Sequence, residues 1–176
     1  MFKDDYYRKF GTKKVNYIKM VTNKELMYIF LFRLEKKFKS KILKKLINHK
    51  RNKIGGKRGI EIPSSVIVGN GMIMIHPYCI TINSKAVIGK NVTLLKGCTI
   101  GNQKRGKKAG SPILGNDVYV GLNSTIVGAV TIGNDVLIAP NSYVNFDVPD
   151  HSIVIGNPGK IYRKDNATEL YINNRI

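Results

Sequence analysis

The sequence predicts an all-β solenoid, a parallel β-helix of hexapeptide repeats, with a short helical segment in front of it. From Ile62 onward an apolar residue recurs every six positions, which is the signature of a hexapeptide β-helix. The thirteen hexads begin at Ile62, Val68, Met74, Ile82, Ile88, Leu94, Ile100, Leu114, Val120, Ile126, Ile132, Ile138 and Val144. The next position is often glycine or alanine, as a tight corner requires, and the fifth position carries a second, smaller inward set. Short strands joined by tight corners would therefore enclose a narrow prism.

Two insertions interrupt the six-residue period. Two extra residues follow the hexad at Met74, and eight follow the hexad at Ile100. Solenoids extrude such insertions as loops, which often build the binding face. The longer insertion produces residues 102–112, which we expect to form an exposed, basic and flexible loop.

Length and charge limit the class of protein but do not identify it. A chain of 176 residues fits a single main domain. It contains 30 Lys and Arg against 11 Asp and Glu, a formal net charge of +19, and residues 1–60 hold 19 of those basic residues with only 4 acids. Such a charge attracts nucleic acid, an anionic membrane surface, an acidic glycan or a phosphorylated cofactor, and charge alone does not distinguish them.

The cysteines and the apolar runs predict a cytoplasmic protein. Cys79 and Cys98 have neither disulfide nor metal-site spacing, and their apolar surroundings suit reduced core thiols. The longest apolar run near the N-terminus, residues 27–32, is too short to span a bilayer, and no signal-peptide cleavage pattern follows it.

A basic helix is predicted in front of the repeat. Thr22 and Glu25 fit a capping box, and the pattern after them predicts a helix to about residue 48. Gly55 and Gly56 then exclude its continuation. Its apolar stripe at spacing four comprises Leu26, Phe30, Leu34, Phe38, Ile42 and Leu46. We expect the stripe to cap the open end of the solenoid, with membrane-surface contact as the alternative. The chain then divides into a helical segment 1–58, a β-helix 59–164 and a loosely packed tail 165–176.

Four further segments have a specific pattern: 69–76 (GNGMIMIH), 118–121 (VYVG), 138–142 (IAPNS) and 155–161 (IGNPGKI). Together they resemble the hexapeptide-repeat acyltransferases, most closely the branch that contains serine acetyltransferases and sugar or polysaccharide O-acetyltransferases. The resemblance covers residues 59–164 and implies a left-handed β-helix that transfers acetyl from acetyl-CoA to a hydroxyl group.

The resemblance implies that His76 is the catalytic base. An alcohol is a poor nucleophile at neutral pH, so a neutral imidazole must take its proton during attack on the thioester. Serine acetyltransferases pair that histidine with an aspartate, and Glu61 occupies the matching place fifteen residues before His76. A carboxylate there would fix the imidazole tautomer and stabilise the imidazolium. For His49 and His151 we expect only solvated positions.

The resemblance also implies a cofactor groove between the subunits of a homotrimer. The matching positions are Gly121, Leu122 and Pro140, of which Pro140 offers only a carbonyl group. Lys160 and Arg163, with Lys164, are candidate partners for the CoA phosphates, although they equally fit a basic solvated tail.

The departures from the serine acetyltransferase pattern concern the acceptor. Ile75 stands where those enzymes place an aspartate for the substrate amine, and Gly110 stands where they place a second histidine. An aliphatic side chain does not pair with an ammonium group. We therefore expect the acceptor to be a sugar hydroxyl of a capsular polysaccharide, exopolysaccharide or lipopolysaccharide building block, with Ile75, Lys104 and Arg105 contacting it.

Other functions remain as alternatives. A serine acetyltransferase of truncated form is the alternative enzyme. A β-helix carbonic anhydrase would need more histidines than this repeat contains, so no metal is expected. A non-catalytic trimer that binds a polyanion is the third alternative. Nucleic acid is not expected as a partner, because no aromatic stacking platform alternates with the basic residues.

Overall fold

The computed structural model describes residues 1–176 and shows four helices followed by a three-sided solenoid. The helices are α1 (Phe2–Phe10), α2 (Tyr17–Thr22), α3 (Lys24–Lys37) and α4 (Lys41–Gly56). The strands are β1 (Ile67–Val68), β2 (Ile73–Ile75), β3 (Thr81–Ile82), β4 (Val87–Ile88), β5 (Thr93–Leu95), β6 (Thr99–Gly101), β7 (Ile113–Leu114), β8 (Val118–Val120), β9 (Thr125–Val127), β10 (Thr131–Ile132), β11 (Val136–Ile138), β12 (Tyr143–Val144), β13 (Ser152–Ile155) and β14 (Lys160–Arg163).

The strands stack into three parallel sheets, which confirms the predicted β-helix. Sheet 1 has the order β1-β4-β7-β10, sheet 2 the order β14-β13-β11-β8-β5-β2, and sheet 3 the order β12-β9-β6-β3. In sheet 1, Ile67 pairs with Val87, Val87 with Ile113 and Ile113 with Thr131. These steps of 20, 26 and 18 residues are a coil of three hexads lengthened by the two predicted insertions. Only β14 runs antiparallel, and it covers the last edge of sheet 2.

The interior of the prism follows the predicted pattern. All thirteen residues that begin a hexad are buried, as are the smaller fifth-position residues such as Val66, Cys98 and Ser124. The small residues after them stack closely at the corners: a Cβ on Gly89 would lie 2.2 Å from the carbonyl oxygen of Gly115. The corner there has room only for glycine.

The helical segment differs from the single predicted helix. The chain is extended at Phe38 (φ −84°, ψ 143°), and Ser40 starts α4 by accepting the amide of Leu43. The stripe therefore splits, and Ile42 and Leu46 are 75 % and 62 % exposed. The expected capping box is also wrong, because the side chain of Asn23 caps α3 instead. None of the helices combines the length and apolarity that a bilayer span requires.

Helix α3 does cap the open end of the solenoid, through apolar and buried charged side chains. Tyr28, Ile29 and Phe32 join the hydrophobic core of the β-helix. Arg33, only 1 % exposed, donates to the backbone carbonyls of Val68 (2.8 Å) and Gly69 (2.6 Å). These carbonyls lie on the first coil, whose outer edge has no neighbouring strand. The guanidinium group therefore replaces the missing strand.

Two further buried arginines extend this cap. Arg51 of α4 donates to the carbonyl of Ile62 (2.6 Å). Arg8 of α1 donates to the carbonyls of Gly71 (3.2 Å) and Asn91 (3.3 Å). Much of the basic character of residues 1–60 lies on the exposed surface, but these three side chains are part of the fold.

The carboxylate of Asp5 balances Arg33. Its two oxygens accept from Arg33 Nε (2.8 Å) and Nη2 (2.9 Å), and Oδ1 also accepts the amide of Met72 (2.9 Å). Burial raises the pKa of Asp5, and the bonds from Arg33 partly offset that rise. Both side chains are 1 % exposed, so neither has a solvent partner to replace the other.

We predict that Arg33→Met lowers the free energy of unfolding by about 3–5 kcal/mol, because it leaves the buried Asp5 carboxylate without its counter-charge and removes the donor to two backbone carbonyls. Urea unfolding at a fixed protein concentration measures the loss. Lys37→Met, at the exposed end of the same helix, should change stability by less than about 0.5 kcal/mol. Equal effects of the two substitutions would contradict a structural role for the Arg33 guanidinium group.

Candidate active site

The corner between sheets 2 and 3, here called the His76 corner, contains most of the predicted site residues. Four coils are stacked there by backbone hydrogen bonds: Gly97 N to Tyr78 O (2.8 Å), Asn123 N to Lys96 O (3.1 Å) and Asn141 N to Leu122 O (2.8 Å). Tyr78, Lys96 and Leu122 are therefore equivalent positions in successive coils.

His76 lies on a bulge of this corner. Ile75 pairs with Leu95, which immediately precedes Lys96, whereas Tyr78 is three positions beyond Ile75. His76 and Pro77 are therefore the two residues inserted after the Met74 hexad. His76 has a left-handed backbone (φ 49°) and is exposed, while Pro77 is buried. The two inserted residues thus hold the imidazole ring away from the solenoid, while buried Pro77 fixes the adjacent backbone. The imidazole ring makes no hydrogen bond within the chain.

Glu61 lies near the same corner, one coil closer to the helices. It forms a parallel bridge with Thr81, and Gly59, two residues before it, stacks against Cys79 of the corner. Its side chain is exposed and makes no hydrogen bond with His76. The pairing of Glu61 with His76 stays a prediction.

The structure brings three of the five predicted cofactor residues together. A Cβ on Gly121 would lie 2.7 Å from the nitrogen of Pro140, and Leu122 precedes Asn123 in the same column. Lys160 pairs with Ile155, at the end of β13 nearest this corner.

Arg163 is at the other end of the same strand pair. It pairs with Ser152, and its guanidinium group donates to the carbonyl of Asp150 (2.6 Å). The structure therefore places Lys160, but not Arg163, beside the His76 corner.

The basic loop lies at a different corner, between sheets 3 and 1. Lys104 and Arg105 are exposed there, and sheet 3 separates them from His76 within the chain. The loop is also more ordered than expected, since Gln103 and Gly110 form an antiparallel bridge. Lys108 ties it to the next coil through its carbonyl, which accepts the amide of Ala129 (2.8 Å).

The remaining predicted residues are the two cysteines and Ile75. Cys98 is buried, and burial raises the pKa of its thiol to about 12. Cys79 is exposed at the His76 corner, so its prediction as a core thiol is wrong; its left-handed backbone (φ 53°) turns the chain there. Ile75 is half-buried at the end of β2, directly before His76. No three metal-binding side chains converge in the structure.

A histidine–carboxylate pair that sequence reasoning missed lies at the corner between sheets 1 and 2. His151 is exposed, as expected, but its Nδ1 lies 2.8 Å from Asp135 Oδ2. Asp135 also accepts the amides of Ala167 (3.0 Å) and Thr168 (3.0 Å) and the hydroxyl of Thr168 (2.6 Å). This carboxylate anchors the C-terminal tail, so the expectation of loose packing is wrong.

The fold and the corner define the class: a left-handed β-helix of hexapeptide repeats with an exposed histidine on the corner that stacks Gly121 on Pro140. No protein-family model matches the chain. Among known proteins the chain is similar to serine acetyltransferases. It is 36% identical to the enzyme of Helicobacter pylori over 107 residues, 61% of this chain and 63% of that protein. It is 37% identical to serine acetyltransferase 2 of Arabidopsis thaliana over 107 residues, 60% of this chain and 32% of that protein.

Solved structures give the same result for the fold. The serine-bound serine acetyltransferase of Neisseria gonorrhoeae superimposes with a TM-score of 0.72 at 26% identity, covering 91% of this chain and 65% of that one. The soybean apoenzyme superimposes with a TM-score of 0.74 at 24% identity, over 91% of this chain and 66% of that one. These matches confirm the predicted resemblance and the fold class. The chain spans about one third to two thirds of the length of these curated relatives.

We predict that acid releases the tail through Asp135. Burial alone would raise the pKa of Asp135, but hydrogen bonds from Thr168, His151 and Ala167 outweigh it and lower the pKa below its usual 3.8. Its stabilising contribution is therefore complete above the unfolded value and disappears as the pH falls through the lower folded value. Hydrogen exchange of the amides of Ala167 and Thr168, which donate to Asp135, should show protection at pH 5, after correction for intrinsic rates, that declines below about pH 3.8.

Asp135→Asn should remove this protection at neutral pH as well. Asp165→Asn, in the exposed part of the tail, is the matched control and should leave protection unchanged. Protection that survives in Asp135→Asn would show that other contacts hold the tail.

Proposed function

We propose that this protein is an acetyl-CoA-dependent O-acetyltransferase with His76 as its general base. The observation that carries the proposal is the two-residue bulge, which presents the imidazole on the corner that also stacks Gly121 and Leu122 on the coil of Pro140. The similarity to serine acetyltransferases supports the same reaction type.

In the proposed reaction, the neutral imidazole of His76 takes the proton of the acceptor hydroxyl as its oxygen attacks the thioester carbonyl carbon. The tetrahedral intermediate collapses with cleavage of the carbon–sulfur bond. The imidazolium then returns the proton to the departing CoA sulfur. Glu61 is the proposed carboxylate that orients the imidazole and stabilises its charged form.

We propose a homotrimer in which the acetyl donor lies between subunits. The pantetheine arm would follow the stacked backbone of Gly121, Leu122 and Pro140, and Lys160 is the proposed phosphate partner. Sheet 1 presents outward-facing Ile67 and Ile113, which are 63 % and 49 % exposed in the single chain. A subunit interface would bury such residues. A neighbouring subunit would also bring the loop of Lys104 and Arg105 to the His76 corner.

Serine is the acceptor that the comparisons favour. The relatives with similarity in sequence and in structure are serine acetyltransferases, and one of the superimposed structures contains serine. The polysaccharide acceptor that the sequence analysis put first has no such support, and neither does membrane-surface contact. We propose a cytoplasmic location, one of the compartments that supply acetyl-CoA.

A saccharide hydroxyl is the second candidate acceptor, and Ile75 is the observation that favours it. This side chain directly precedes His76 and is half-buried at the edge strand β2. An aliphatic group there offers the ammonium group of serine no counter-charge, and desolvating an unpaired ammonium group is costly.

We predict that His76→Ala lowers acetyl transfer by about 10²–10⁴-fold, the range expected for loss of a general base. Thiol release from acetyl-CoA measures the rate with serine, UDP-sugars and oligosaccharides in turn. His151→Ala is the matched control, because it removes the other histidine of the β-helix and should leave the rate within about twofold.

The acceptor that supports thiol release selects between the two candidates. Release with serine alone supports serine acetylation, and release with a saccharide alone supports the second candidate. Release that persists in His76→Ala, or that fails with every acceptor, would contradict the proposed function.

A further inference from the structure

A cavity of about 580 Å³ lies between the helices and the first coil, close to the His76 corner. Its lining combines five cationic side chains, which include Lys50, Lys53, Lys57 and Arg58, with four apolar ones, which include Ile54 and Tyr78. The volume is within the range of small-molecule sites. No carboxylate lines it.

None of the five cations of this cavity forms a salt bridge within the chain. All four acids of residues 1–60 are engaged elsewhere: Asp4 with the N-terminus, Asp5 with Arg33, Glu25 with Lys9 and Glu35 with Arg51. Lys50 and Lys53 of α4 and Lys57, its C-cap residue, follow one another at spacings of three and four, which places them on one side of the helix. The four lysines of the lining are exposed, so their shared positive charge raises the electrostatic potential over this concave surface.

The apolar part of the lining connects the cavity to the proposed active site. Tyr78 is the second residue after His76, and the guanidinium carbon of Arg58 lies 4.9 Å from the centre of its ring. Ile54 is partly buried against the solenoid core. A ligand held here would therefore contact an aromatic face and aliphatic groups as well as cations.

The proposed position of the acetyl donor leaves the side of His76 that faces the helices for the acceptor. The proposed donor residues Gly121, Leu122 and Pro140 lie in later coils, beyond His76 in the direction away from the helices. A thioester that approaches from those coils leaves the helical side of His76 for the attacking hydroxyl. The cavity is on that side.

We infer that this cavity binds the diphosphate of an activated saccharide acceptor, with the organic group beyond the diphosphate on the apolar lining. The cations would hold the phosphate oxygens by charge-assisted hydrogen bonds. This inference rests on the second candidate of the proposed function. The organic group is a nucleoside or a prenyl chain, and the shared recognition element is the diphosphate ester.

Calorimetric titration at physiological ionic strength tests the site without relying on acetyl transfer. The probes are UDP, geranyl diphosphate and inorganic pyrophosphate, each with and without saturating CoA. The test variant is Lys50→Gln with Lys53→Gln. The control variant, Lys44→Gln with Lys45→Gln, makes the same change in net charge on exposed lysines of the same helix outside the cavity.

At least one organic diphosphate should bind more tightly than pyrophosphate, and binding should persist with CoA. Tighter binding of UDP would indicate a nucleoside diphosphate, and tighter binding of geranyl diphosphate would indicate a prenyl diphosphate. The test variant should weaken binding roughly tenfold or more, and the control variant less than about twofold. Equal losses in both variants would show diffuse attraction, and binding abolished by CoA would assign the cavity to the donor; either result overturns the inference. Capture of anionic vesicles without binding of soluble diphosphates would overturn it as well.

The titration tests the diphosphate site and the thiol-release assay tests the proposed function, so one proposal can be contradicted without the other. Diphosphate binding without acetyl transfer to any acceptor would contradict the proposed function and leave the site standing. Acetylation of serine without diphosphate binding would contradict the site and leave the acetyltransferase standing.

Discussion

The unpaired edge of the first coil is the constraint on which the rest of the structure depends. Each coil of a parallel β-helix satisfies its backbone groups through its neighbours, so the first coil keeps a row of polar groups without a strand. Here Arg33, Arg51 and Arg8 donate to carbonyls of that coil, and Asp5 accepts one of its amides. Burying Arg33 and Asp5 in this way is tolerated because the two groups are paired with each other and hydrogen-bonded to the backbone. The helical segment is therefore an integral part of the β-helix.

The same coil carries His76, so the cap and the proposed chemistry are coupled. The bulge is held by buried Pro77 and by the pairing of β2 with β5, while the helices that cap this coil also enclose the cationic cavity beside Tyr78. The His76 corner thus extends from the cationic cavity at the capped end, past the exposed imidazole, to the stacked backbone of Gly121 and Pro140 in later coils. The proposed reaction needs the imidazole and the stacked backbone, whereas the cavity would serve only an acceptor that carries a diphosphate.

The solenoid could be predicted from sequence because its signal is local and repeated. The apolar hexads and the two-residue insertion after Met74 were sufficient to locate the coils and the bulge.

The helical cap was harder to predict, because the apolar spacing of four continues through Phe38 and Ile42 although the chain bends between them. The buried arginines resemble any other cations of a basic helix, since only tertiary structure shows that Arg33 faces Asp5. Asp135 is likewise separated from the tail residues it holds by more than thirty positions. The separation of Arg163 from Lys160 follows from the antiparallel return of β14, which no hexad pattern encodes.

A crystal structure of the protein with bound CoA would locate the acyl donor relative to His76. We expect the CoA sulfur beside the imidazole of His76, with the pantetheine arm along the backbone of Gly121, Leu122 and Pro140 and the cationic cavity free of CoA. CoA bound in the cavity, or at a corner remote from His76, would contradict this arrangement.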